Sequence, residues 1–238
     1  TLRIGINNSD RRKVVLCYQG VLKEDRLKFA NQMVYLANRK RKNPEILITF
    51  DDAYENLLTN VIPILERYQL KAMVFTLSDN LGKIPNWDIS NNKAEAHIKT
   101  MNEEQLLKIV KNPLIMVGSH TKSHYDLTKI PDTLIETELK NSKIQLEKLL
   151  SITVEDIALP YGAYNKKILK IIKKTGYKRT YTLDPQVTTK NDMNEGLIGR
   201  FLVSPNTWFL EYFLICAGAY SWIYSIKKLL KNNLIVII

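Results

Sequence analysis

Two pairs of residues in this 238-residue chain have the types and spacing for metal chemistry. Asp51 and Asp52 end the apolar run Ile46-Leu47-Ile48-Thr49-Phe50. Two adjacent carboxylates at the edge of a core are costly unless a cation or hydrogen-bond donors compensate them. His120 and His124 stand four positions apart in Gly118-Ser119-His120-Thr121-Lys122-Ser123-His124, a spacing that lets both imidazoles converge on one ion. One carboxylate added to two imidazoles makes a three-ligand set with open positions for water and substrate, a catalytic rather than a structural count. A divalent metal there would polarise a carbonyl and lower the pKa of water toward about 7, and the remaining aspartate could take the proton. The blander reading makes the aspartates acids at a helix N-terminus and His-x-x-x-His a surface coincidence.

For these residues to meet, each must leave its strand on the same side of a sheet. The pattern predicts strands at Lys13–Tyr18, Ile46–Phe50, Lys71–Leu77, Leu114–Val117 and Glu155–Leu159, with late strands at Arg179–Leu183 and Gly196–Val203. Helices are expected over Lys23–Arg39, Tyr54–Tyr68 and Pro131–Leu150. In the last of these Leu134, Ile135, Leu139, Ile144, Leu146 and Leu149 are expected to face inward. Another helix starts at the capping-box spacing Thr100-Met101-Asn102-Glu103, and a further one carries Ile168 to Ile172 with Gly176 as its C-cap. Ser78–Lys99 reads as a long loop after the third strand. Strand and helix alternate almost throughout, which argues an α/β fold with a parallel sheet, open or closed as a barrel. In either form Asp51, Asp52, His120 and His124 collect at the C-terminal ends of the strands.

The length suits one large domain, with no linker or internal repeat. The net charge of +11 permits attraction to anionic surfaces. Its clusters, Arg39–Lys42, Lys166–Lys174 and Lys227–Lys231, read as solvated helix faces or ends, and no nucleic-acid module is present, so no nucleic-acid partner is expected. Cys17 and Cys216 read as buried free thiols. No signal-like segment opens the sequence at Thr1, which leaves the compartment open. Trp208–Ile226 is rich in large apolar residues and reads as a packed terminal helix, with peripheral membrane association as the other reading. The expected division is therefore a catalytic domain over 1–205 and a hydrophobic helix plus short strand over 206–238, packed on the same domain. Oligomeric state is not legible.

Thr49-Phe50-Asp51-Asp52 and Ser119-His120-Thr121-Lys122-Ser123-His124 resemble the first two motifs of the polysaccharide deacetylase family, carbohydrate esterase family four, also called the nodulation-protein B homology domain. Ala158-Leu159-Pro160-Tyr161-Gly162-Ala163-Tyr164-Asn165 resembles the third, in the form found in poly-N-acetylglucosamine deacetylases. The similarity runs from about Val14 to Val203. It implies a distorted (β/α) barrel, usually seven-stranded, and metal-dependent removal of acetyl groups from an acetylated carbohydrate, in a cell-envelope or secreted setting. By position it implies Asp51 as general base, Asp52, His120 and His124 as ligands of a divalent metal, and Tyr161 as backbone donor to the oxyanion. Zn2+ suits that ligand set, and Co2+, Ni2+ or Fe2+ would also fit.

The departures from the family pattern are specific. Where family members commonly hold the base with an Arg, this chain has Ala158; Arg200, in Gly199-Arg200-Phe201, is the candidate replacement, a surface ion pair being the alternative. No histidine follows His124, so the late motif that supplies the general acid is absent. The early Tyr-His that can serve instead reads Tyr18-Gln19, and a glutamine cannot protonate a leaving amine. His97 is the one histidine left, in the long loop, and the usual glycine after the aspartates is Ala53. The resemblance favours N-acetylated amino sugars. The missing acid leans toward O-acetyl esters or toward a glycan-binding pseudoenzyme that keeps the metal.

Overall fold

The structure, a computed structural model, describes residues 12–39, 43–87 and 97–220. Its strands are β1 (Lys13–Tyr18), β2 (Glu45–Phe50), β3 (Ala72–Thr76), β4 (Ile115–Ser119), β5 (Asp156–Ala158), β6 (Arg179–Tyr181), β7 (Leu197–Ile198) and β8 (Phe201–Leu202). They form one sheet in the order β7-β6-β5-β4-β3-β2-β1-β8, every pairing parallel. Val14 to Tyr18 are all buried, as expected of a strand covered on both faces.

The two outermost strands are consecutive in the chain, joined only by Gly199-Arg200. The single late strand expected over Gly196–Val203 is thus one passage in two halves, the first hydrogen-bonded to β6 and the second to β1. That split gives eight strands where seven were expected, and it curls the sheet into the distorted barrel. Gly199 has a packing reason at this seam, since a Cβ there would run into the Asp184 carbonyl and the Gln186 side chain.

Helices α1 (Arg26–Ala37), α2 (Leu57–Asn60), α3 (Ile62–Tyr68), α4 (Glu103–Ile109), α5 (Asp132–Leu150), α6 (Lys166–Lys174), α7 (Lys190–Glu195) and α8 (Phe209–Cys216) connect or follow the strands. The helix expected over Tyr54–Tyr68 is broken into α2 and α3 because Pro63, in the first turn of α3, has no N–H to continue the ladder. The capping box before α4 is made by Asn102 and Gln105 rather than by Thr100 and Glu103. On α5 the sequence reading of the inner face needs correction. Leu134 and Ile144 are exposed, and the buried stripe is Ile135, Glu138, Leu139, Ser142, Leu146 and Leu150.

Helix α8 lies on α1: the rings of Phe209, Tyr212 and Phe213 contact Tyr35, and the Tyr18 and Tyr212 hydroxyls are 3.1 Å apart. The rest of the apolar segment expected to Ile226, and the strand expected after it, lie outside the described residues, as do positions 88–96 of the long loop. Among the described residues no helix is long and apolar enough to cross a membrane. Cys17 and Cys216 are both buried free thiols.

Candidate active site and metal centre

β2 delivers its carboxylates through a strained turn. Asp52 (φ 64°) and Ala53 (φ 49°) are both left-handed, a conformation in which a non-glycine residue gives up about 1 kcal/mol. Ala53 therefore occupies a position where glycine would be free of strain, and the Met101 N–H, 2.8 Å from its carbonyl, helps fix it. At the end of β4, Thr121 (φ 66°) and His124 (φ 62°) are left-handed too, so the loop doubles back and returns His124 to His120. Their rings meet edge to face with centroids 5.1 Å apart.

Asp52, His120 and His124 are all buried, and one ligand atom from each lies within 4.8 Å of the others. Asp52 Oδ1 is 3.6 Å from His120 Nε2 and 3.4 Å from His124 Nε2. Those separations exceed the ordinary charge-assisted hydrogen bond, and they match the roughly 3.3 Å between ligand atoms that each sit about 2.0 Å from a tetrahedral zinc. Burial lowers the pKa of both histidines: that of His124 falls to about 2, helped by the neighbouring His120, and that of His120 falls despite Asp51. His120 is therefore a neutral imidazole. Its Nδ1 lies 2.9 Å from the Ala158 carbonyl, so Nδ1 carries the proton and the Nε2 lone pair faces the Asp52 carboxylate. Two electron-rich atoms aimed at each other are compatible with a cation between them, and a metal-ligating imidazole is commonly held, as His120 is, by its other ring nitrogen on a backbone carbonyl. The residues present thus fit a divalent metal.

Asp51 is held quite differently. The Arg200 guanidinium, fully buried, donates from Nη1 to Asp51 Oδ1 at 2.6 Å and from Nη2 to Oδ2 at 2.8 Å. Arg200 also donates to the Thr182 carbonyl (3.1 Å) and to Thr49 Oγ1 (3.2 Å), which uses its nitrogens in a dry interior. Its Cζ stands 5.4 Å over the Phe75 ring. The Cys17 thiol, kept protonated chiefly by burial, donates to Asp51 Oδ2 at 3.4 Å. Burial alone would raise the pKa of Asp51, but Arg200 and His120 outweigh it and the carboxyl stays below its usual range. Arg200 is thus no surface ion pair. It stands inside the barrel, paired with Asp51, where the alternative reading had it at the surface.

Tyr161 lies in the Pro160–Gly162 turn after β5, itself left-handed (φ 58°, ψ 4°), half-exposed, with its ring edge-on to His124 at 4.9 Å. Trp87, from the long loop, stacks on His124 with ring centroids 4.4 Å apart. A cleft of about 770 Å³ opens on this side of His124, lined in part by Asp79, Trp87, Ser123, Tyr125, Asp126 and Tyr161. Gln19 lines a separate cleft of about 390 Å³ at the ends of β1 and β8, and His97 is in an exposed turn.

Asp51, Asp52, His120, His124 and Arg200 are therefore brought together around the strand ends, with Tyr161 against His124. Sequence reasoning missed Cys17 and Trp87 as neighbours of the site. Cys17 had a usable signal, since it is one residue from the end of β1 and in register with Thr49, two positions before Asp51. Trp87 had none, because its loop has no periodicity.

The sequence model of the family described as Polysaccharide deacetylase matches residues 38–180, more than half of the chain. The chain belongs to the polysaccharide deacetylase family. It is 29% identical over 198 residues to the poly-beta-1,6-N-acetyl-D-glucosamine N-deacetylase of Staphylococcus aureus (strain MRSA252), covering 79% of this chain and 65% of that protein. It is 27% identical over 168 residues to YxkH of Bacillus subtilis (strain 168), which bears a polysaccharide deacetylase name, covering 71% of this chain and 54% of that one. The chain thus spans between about half and two thirds of the length of these relatives. Among solved structures, IcaB from Ammonifex degensii superposes with a TM-score of 0.69 at 22% identity, covering 86% of this chain and 97% of that one. BC0361, a polysaccharide deacetylase from Bacillus cereus, gives 0.69 at 23% identity, covering 86% and 68%. These two likenesses establish the fold, a curled parallel sheet wrapped by helices.

Proposed function

We propose that this chain is a metal-dependent hydrolase that removes acetyl groups from an N-acetylated amino-sugar polymer. The observation that carries the reading is the buried Asp52–His120–His124 trio beside an ionised Asp51 pinned by Arg200. The Staphylococcus aureus relative, by its name an N-deacetylase of poly-beta-1,6-N-acetyl-D-glucosamine, supports the hexosamine polymer as substrate class.

Asp52, His120 and His124 would hold the metal, and a divalent ion such as zinc supplies Lewis acidity, polarising the acetyl carbonyl and acidifying water. Asp51 is the general base: it is ionised, and Arg200 and Cys17 fix its carboxylate so that a lone pair is presented without reorientation. The Tyr161 N–H is assigned to the oxyanion, where a fixed donor lowers the barrier as charge develops. Arg200 is a positioning residue for Asp51 and does not touch substrate.

O-acetyl esters are the second substrate reading, favoured by one feature. Gln19 stands where the related branch has its acid, and His97 lies in an exposed turn, so among the described residues no third imidazole serves the leaving group. An alkoxide needs less protonation than an amine.

The test is acetate release from N-acetylglucosamine oligomers and from O-acetylated xylan, using protein stripped of metal and returned to one equivalent of zinc. The expected result is zinc-dependent release, with Asp51→Asn keeping zinc stoichiometry but losing turnover by about a hundredfold to ten-thousandfold. Turnover in Asp51→Asn equal to that of the unaltered chain would remove Asp51 from the chemistry. Stoichiometric zinc binding without release from either substrate would leave a glycan-binding pseudoenzyme.

A further inference from the structure

The buried stripe of α5 contains a carboxylate that the proposed reaction does not use. Glu138 is 2% exposed, in a row otherwise made of Ile135, Leu139, Ser142, Leu146 and Leu150. A charged side chain at such a position is expensive unless something there needs it. Its Oε2 accepts the N–H of Lys122 at 3.2 Å and the N–H of Ser123 at 2.8 Å, the two residues between Thr121 and His124. One turn later, Ser142 Oγ donates to the Thr121 carbonyl at 2.9 Å and lies 2.8 Å from Ser119 Oγ, which in turn accepts the Thr121 N–H at 3.1 Å. Thr121 Oγ1 then accepts the His124 N–H at 3.3 Å.

Helix α5 therefore grips the peptide groups of the loop that carries both histidines. That loop needs gripping. Thr121, β-branched, and His124 both sit at positive φ, which persists only where surrounding contacts over-determine it. Relaxation of either residue would swing His124 away from His120 and Asp52.

We infer that Glu138 is a positioning residue for the histidine pair: by accepting two backbone N–H groups of the loop, it fixes the left-handed turn that brings the His120 and His124 imidazoles to one point. The inference rests on the proposed metal site and adds to it a residue, on another helix, that sets metal affinity without touching metal or substrate. Both bonds end on a single oxygen, so a glutamine Oε1 can accept both, whereas an aspartate is one methylene too short and an alanine offers nothing.

The experiment measures the zinc dissociation constant by competition with a chromophoric chelator, together with the Tm of the metal-free protein, for the unaltered chain and for Glu138→Gln, Glu138→Ala and Glu138→Asp. Glu138→Gln is expected to stay within about threefold of the unaltered chain, while Glu138→Ala and Glu138→Asp bind zinc about 10- to 100-fold more weakly at unchanged stoichiometry. Zinc affinity in Glu138→Ala within about twofold of the unaltered chain, even with a lowered metal-free Tm, would make Glu138 a structural residue only and overturn the inference. Should Glu138→Ala fail to fold, the order of the other two decides: Glu138→Asp weaker than Glu138→Gln supports it, and equal affinity overturns it. If the unaltered chain itself takes up no zinc, the metal reading falls and this inference with it. A zinc-binding chain that is insensitive to Glu138→Ala sinks the inference alone.

Discussion

Arg200, at the barrel seam, reaches Asp51, and the two form a bidentate pair that is buried almost completely, with only an edge of the Asp51 side chain exposed. Taking both ions out of solvent is costly, and their attraction repays the cost only because every polar atom of the pair finds a partner. The asymmetry of such pairs gives a prediction. Arg200→Met leaves a buried carboxylate with only the Cys17 thiol as a donor among its described partners, and should destabilise the protein by about 3–5 kcal/mol. Removing both charges in Asp51→Asn/Arg200→Met should cost much less than the sum of the single substitutions. Urea denaturation of the four proteins in the cycle measures this, and additive losses would mean that the two side chains do not depend on each other. Position 158 is alanine, and the guanidinium on Asp51 comes from Arg200, at the point where β7 and β8 part.

At the scale of elements, β4 must carry Ser119 and His120 past a crowded barrel interior, and Gly118 makes this feasible. A Cβ on Gly118 would lie 2.6 Å from Cδ1 and Cε1 of Phe75, whose ring also packs on Tyr181 at 5.0 Å and beneath Arg200. Gly118→Ala should therefore push Phe75 against the guanidinium that holds Asp51, costing about 1–3 kcal/mol in stability and lowering kcat more than KM. Phe75→Leu introduced alongside it should recover part of both losses, and a Gly118→Ala variant of normal stability and activity would show that Phe75 moves freely. Much of this arrangement is legible in the sequence. An apolar run ending in Asp51-Asp52 and a strand running into His120-x-x-x-His124 announce themselves because strand ends share one face in a parallel sheet. What is illegible has one physical cause: a partner chosen by tertiary approach leaves no local period. The destination of Arg200 depends on how the barrel closes, and Glu138 reads as one more surface acid of an amphipathic helix until its place in the buried stripe is seen. The break between α2 and α3 is a different case: Pro63 is visible in the sequence, but apolar residues recur at helical spacing on both sides of it, so the pattern reads as one helix.

Over the whole molecule, the buried imidazoles make stability depend on pH in a direction that can be worked out. His120 and His124 have pKa values below the ordinary 6.5, that of His124 at about 2, chiefly because burial opposes their charged forms. Below pH 6.5 the unfolded chain therefore takes up protons that the folded chain refuses. The unfolded state binds more protons, so stability rises with pH in this window and is lost as pH falls. Each fully shifted histidine contributes a slope approaching about 1.4 kcal/mol per pH unit. Asp51, whose pKa is lowered from 3.8, acts in the same direction but only at more acid pH, so the interval from pH 6.5 to 5 belongs to the histidines. Urea midpoints of the chelator-treated protein should fall steadily across that interval, and His124→Asn should flatten the fall by about half or more. Equal slopes in the two proteins would mean that His124 takes up its proton in the folded state. Zinc sharpens the comparison, because binding requires the neutral imidazoles that burial already enforces. Added zinc should raise the midpoint by a similar increment from neutral pH down to pH 5, because folded imidazoles that refuse protons offer the metal the same nitrogens throughout, and an increment that fades toward pH 5 would mean that protons reach them in the folded state.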